Sequence, residues 1–82
     1  MTDREIKISH AILKALHDMD GGQAGEITLH GEATQICPCS VAEFTAALAL
    51  CDTQGWVTGV KSRFKGKLWS INDAGEGALL QM

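Results

Sequence analysis

Four cations, Lys61, Arg63, Lys65 and Lys67, fall in one short stretch, and no acidic residue lies between 56 and 69. Alternating positions in an extended backbone project from one face. Mobile cations on a protruding ribbon suit phosphate, because Coulomb attraction and counterion release supply affinity without covalent chemistry. The contrast with the remainder sharpens the signal. The chain carries −3 overall, and outside this stretch three basic and ten acidic residues leave a net −7. The plainer reading is a solvated hairpin whose lysines guard an edge strand against pairing.

Other chemistry-bearing residues point to less. Cys37, Cys39, Cys51 and His30 would supply four ligand atoms. One intervening Pro38 is a poor hook, however, since structural zinc favours cysteine pairs two to four residues apart. Cys51 also falls on an apolar helical stripe, where a thiol acts as a small hydrophobe. No metal and no cofactor are expected. Three cysteines make an odd number, and Cys37 and Cys39 are too close for an unstrained disulfide, so reduced thiols are expected. No phosphate-cradling glycine loop, nucleophile elbow or HExxH helix occurs. Asp18 and Asp20 end a helix rather than pair as acid and base. The expectation is a protein that is not an enzyme.

These residues need a scaffold. Eighty-two residues with 45% apolar and 21% charged content suit one globular domain spanning 1–82, too small for two cores. The longest apolar run, Ala46–Cys51, is far short of the ~20 residues of a membrane span. No basic region precedes an apolar run at the start, so a cytoplasmic protein without membrane contact is expected.

Thr2 and Glu5 predict a capping box opening a helix from Asp3 to about Met19, with Ile8, Ile12, Ala15, Leu16 and Met19 as its apolar stripe. Asp20-Gly21-Gly22 ends it. Gln23 to Glu26 reads as a loop, Ile27-Thr28-Leu29 as a brief edge strand, and Gly31 to Ile36 as a weak helix stopped by Pro38. Ser40 and Glu43 form a second capping box. The helix they open turns Val41, Phe44, Ala47, Leu48 and Cys51 inward and ends at Gln54-Gly55. Period-two alternation from Trp56 to Phe64, a turn at Lys65-Gly66-Lys67 and a return over Leu68–Ile71 predict a hairpin. Asn72 or Asp73 caps a final helix, Ala74 to Gln81. Gly75 and Gly77 weaken it, so it must lean on packing.

The block Ser40–Leu80 carries a resemblance. Ser40-Val41-Ala42-Glu43-Phe44 through Gln54-Gly55-Trp56-Val57 looks like a recognition helix running into a first wing strand. Leu68-Trp69-Ser70-Ile71-Asn72-Asp73-Ala74-Gly75 looks like a second wing strand running into a closing helix. The order resembles the winged helix-turn-helix domain of small prokaryotic transcriptional regulators. The resemblance implies an α+β winged-helix fold: a three-helix core with a short strand, a β-hairpin wing and a short final helix. It also implies double-stranded DNA as partner, with the third helix in the major groove and the wing on phosphate. Ser40, Glu43 and Thr45 would then meet the duplex beside the four wing cations, Thr45 at a phosphate or thymine methyl and Glu43 at a cytosine amine.

The third helix departs from that pattern. Ser40 to Asp52 contains no basic residue, whereas reading helices usually offer Arg, Lys, Asn or Gln. With the core stripe inside, its outer face shows Ala42, Glu43, Thr45, Ala46, Ala49 and Leu50. An apolar face of this kind, built by Ala42, Ala46, Ala49 and Leu50, fits a protein partner at least as well. The first helix carries a second stripe, Ile6, His10, Leu13 and His17. It reads either as a pH-sensitive homodimer seam or as a helix packed on two sides within one domain.

Overall fold

The computed structural model describes residues 2–19, 22–63 and 66–81. Among them the chain runs α1 (Asp3–Asp18), β1 (Gln23–Gly25), α2 (Glu26–Ile36), α3 (Val41–Thr53), β2 (Val57–Ser62), β3 (Gly66–Ile71) and α4 (Asp73–Gln81). The strands form an antiparallel sheet in the order β1-β3-β2. The fold is therefore α+β, four described helices against a small antiparallel sheet.

Helix α1 is the axis of the core. Thr2 Oγ1 accepts from the Glu5 amide at 3.2 Å and donates to Glu5 Oε1 at the same distance. The carboxylate thus meets the hydroxyl and not the Thr2 amide, a variation on the expected box. The buried face is wide, comprising Ile8, Ser9, Ala11, Ile12, Leu13, Ala15 and Leu16. It is wide because α1 packs against α2, α3, α4 and β3. Gly22 turns the chain afterwards with φ +64°, a conformation that favours glycine. Asp20 and Gly21 lie outside the described residues.

The expected strand at Ile27–Leu29 is helical, and the strand lies earlier, at Gln23–Gly25. The reason is packing. Leu29 and Ala33, four residues apart, are the buried pair of α2, and only a helix turns both inward. Ile27, despite its strand propensity, is 91% exposed. In β1, Ala24 alone is buried, and it lies opposite Trp69 of β3, which in turn lies opposite Gly59 of β2. A large ring between two small residues fills that row of the sheet, and larger neighbours would overfill it.

Helix α3 opens on a complete capping box. The Glu43 amide donates to Ser40 Oγ at 3.2 Å and the Ser40 amide to Glu43 Oε1 at 3.0 Å. Phe44, Ala47, Leu48 and Cys51 are buried as expected. Val41 is 67% exposed rather than inward, since it sits in the first turn after the Pro38 corner. The His30 ring packs edge-on against Phe44 at 5.0 Å between centroids, tying α2 to α3.

The last helix leans on packing as anticipated. Asn72 Oδ1 accepts from the Gly75 amide at 2.9 Å, and Asn72 Nδ2 donates to the Gly55 carbonyl at 2.7 Å. Gly75 is buried so tightly against the Trp56 carbonyl that any Cβ there would clash with it. Among the described residues no single helix is long and apolar enough to cross a membrane.

Candidate nucleic-acid interface

The β2–β3 hairpin places the cations. Its inner face is one continuous surface: Val57 opposite Ile71, Gly59 opposite Trp69, then Lys61 opposite Lys67. Val57 and Trp69 belong to the buried core, and the two lysines, both exposed, extend that face beyond it. Like charges directly opposed across a ladder repel. An approaching polyanion relieves that repulsion.

The expected geometry needs correction. The ladder closes at Ser62 opposite Gly66, with Gly66 at φ +71°. Gly66 and Lys67 therefore belong to β3, not to a turn. Arg63 lies past the end of β2 and does not continue its alternation with Lys61. The register needs the reversal between Ser62 and Gly66, because a glycine at positive φ commonly closes such a loop. Lys65 lies outside the described residues, as does Phe64. The described basic cluster is Lys61, Arg63 and Lys67, drawn from two strands and the turn. Among the described residues no carboxylate forms an ion pair with any of the three.

Lys67 is held differently from the other two. Its ammonium lies 4.3 Å from the centroid of the Trp69 ring. It reaches that position across Gly59, where a Cβ would collide with the Lys67 chain and meet the ring. The Trp69 Nε1 donates to Glu26 Oε1 at 3.3 Å, so the indole is fixed on its other side. Gly59 inside a strand is the sequence signal for this close approach.

Helix α3 presents a largely apolar surface with one exposed acid, Asp52, that pairs with no described cation. Ala42, Thr45, Ala46 and Ala49 are exposed, and Leu50 is half-buried. Ser40 and Glu43, expected at the duplex, form the helix cap. Arg4 binds Glu43 as well, Nε to Oε2 at 3.0 Å, and its Nη2 donates to the Pro38 carbonyl at 2.6 Å. Hydrogen bonds first from Arg4 and then from the Ser40 amide hold the Glu43 carboxyl down to about 2. The same pairing raises Arg4 above its ordinary value. The acidic charge at the start of α3 is thereby neutralised. Sequence reasoning missed Arg4, since no local pattern links residues 39 apart.

The second stripe of α1 does not form one surface. Leu13 is fully buried within the chain and so cannot serve a dimer seam. His17 Nδ1 faces Glu76 Oε1 of α4 at 3.7 Å. Ile6 and His10 line a groove with Ile36 and Cys37. The stripe divides because α4 and α2 cover different parts of it. Cys51 is in the core, where burial pushes its thiol up to about 11. His30 Nε2 lies 3.3 Å from the Cys39 carbonyl oxygen. Among the described residues no three His, Cys, Asp or Glu side chains converge to hold a metal.

Compared with protein-family models, curated proteins and solved structures, the chain matches none.

Proposed function

We propose that this chain is a winged-helix DNA-binding module, a transcriptional regulator or accessory factor of the cytoplasm, which docks on duplex DNA without covalent chemistry. One observation carries the reading: Lys61, Arg63 and Lys67 gather at the far end of a hairpin with no described carboxylate paired to them. The helix–strand–helix–helix–strand–strand–helix order, with β1 on the outer side of β3, supports it. The hairpin is the wing, and Lys61 and Arg63 are its phosphate contacts. Lys67, steadied on Trp69, is a fixed charge near the wing's tip. Thr45 is a polar group of the α3 face directed at the groove, on the same side as the exposed Asp52. The test is duplex binding at low salt by the Lys61→Glu, Arg63→Glu double variant. Lost binding is expected, and unchanged affinity removes the wing from the mechanism. Neutralising about four phosphates, as when Lys65 also takes part, gives a logarithmic salt slope of about −3 to −4.

A second reading rests on α3. Val41, 67% exposed, stands with exposed Ala42, Ala46 and Ala49, a face suited to a protein partner. Ala46→Lys separates the two. It blocks a protein complex under the second reading, whereas added charge strengthens duplex binding under the first.

A further inference from the structure

We propose that β2 is a docking edge for a second copy of this chain, which pairs with it antiparallel across a two-fold axis and joins two three-stranded sheets into one. Strand β2 lies at one side of the sheet and pairs only with β3 among the described residues. In such a strand every second residue turns its amide and carbonyl away from the sheet, ready for another strand. No described backbone hydrogen bond fills that outer side. Val57–Ser62 contains no proline, and Thr58, Val60 and Lys61 are exposed. The sheet's other edge, β1, spans only three residues and offers too short a ladder.

Charge selects the occupant. The far end of β2 carries Lys61 and, just past it, Arg63. Its near end adjoins two exposed acids. The Gly55 amide donates to the Asp52 carbonyl at 3.0 Å, and Asp73 follows Asn72, whose amide donates to the Trp56 carbonyl at 3.2 Å. Neither acid pairs with a described cation. Lysines normally guard an edge because two like edges repel. An edge that is basic at one end and acidic at the other is not guarded against its own reverse. Antiparallel pairing sets the cations of each copy beside the acids of the other, twice over. Parallel pairing would set cation against cation. Val60, 53% exposed in mid-strand, lies close to the axis and is covered by its own counterpart. A second copy and a duplex would compete for Lys61 and Arg63. The pairing does not rest on the duplex reading, however, and is tested without DNA.

Sedimentation equilibrium of the full chain, from about 10 μM to about 1 mM, should show monomer and dimer in exchange. The association should be about tenfold weaker in about 0.5 M salt than in about 0.05 M salt. Asp52→Lys, and separately Lys61→Glu with Arg63→Glu, should each weaken it at least about tenfold, because like charges then meet. Mixed in equal amounts, the two variants should associate with each other about as tightly as the unaltered chain, since each again faces the opposite sign. Asp52→Lys puts a cation at the C-terminal end of α3, where the helix dipole favours it, so the variant should fold. Amide exchange should slow with concentration in β2 and not in β1. A monomer at every concentration, a mixture that stays monomeric, or protection that appears on α1 or α3 instead overturns the proposal. Asp52→Lys keeps all the wing cations, so its duplex binding should be intact or stronger, and failure of the interface is distinguished from failure of the duplex reading.

Discussion

Arg4 and Lys61 carry the same charge and are used in opposite ways. Arg4 is surrounded by acceptors, namely the Glu43 carboxylate and the Pro38 carbonyl, with the Cys37 sulfur at 3.9 Å. It joins α1 to the corner between α2 and α3 and has little left to offer a partner. Lys61 faces another lysine across the ladder and pairs with no described carboxylate. A satisfied cation holds structure together, whereas an unsatisfied one is available to a ligand. Counting basic residues cannot separate the two, because the difference lies in what the fold brings alongside.

The sharpest way to break this contrast is at the hairpin tip. Lys61→Glu with Arg63→Glu should lower duplex affinity about a hundredfold at low salt, since two phosphate contacts become repulsions. It should leave the melting temperature nearly unchanged, as exposed substitutions usually shift stability by less than about 0.5 kcal/mol. A large fall in melting temperature would mean that these cations are structural, as Arg4 is. Next in size is Gly59→Ala, in the middle of the hairpin. Its methyl would meet the Lys67 chain and the Trp69 ring, and overpacking of this kind costs about 1–3 kcal/mol. Denaturant titration measures the loss, and an unaltered midpoint would show that Lys67 swings clear freely.

Acid titration probes the Arg4 corner. Glu43 is held near 2 against an ordinary value of 4.5. A depressed carboxyl contributes stability that is complete above the ordinary value and is lost as pH falls through the folded one. The melting temperature should therefore gain an extra decline between about pH 4.5 and 2, and Glu43→Gln should remove that part of the slope. Identical acid profiles for the two proteins would sink the assignment. The smallest effect belongs to Ser9, whose hydroxyl is buried without a well-formed hydrogen bond and has only the weak partner Cys51 beside it. Ser9→Ala should be neutral or stabilising by under about 1 kcal/mol, because it relieves an unmet buried polar group. A clear destabilisation would show that the hydroxyl is satisfied after all.

What the sequence revealed divides along the same line between local and distant causes. Helices α1 and α3 were legible because Thr2–Glu5 and Ser40–Glu43 mark their starts and their apolar positions recur every three or four residues. The hairpin was legible through alternation, and Asn72 as a cap through residue type. Strand β1 was not, because Gln23-Ala24-Gly25 has little strand propensity and is extended only because β3 lies beside it. Ile27-Thr28-Leu29 misled for the complementary reason: its propensity is overridden by the need to bury Leu29 with Ala33. The cations of the candidate site were visible as letters. The arrangement of Lys61 against Lys67, and of Arg4 on Glu43, depends on pairing between distant segments and had no local signature.

The Trp69 indole has a use beyond packing. It is anchored through its nitrogen to Glu26 and carries an ammonium group over its ring, so its excited state senses the electric field within the hairpin. A ligand that draws Lys67 outward would change that field and shift the emission. With Trp56 replaced by phenylalanine, the protein would report its own binding events by fluorescence, with no attached dye.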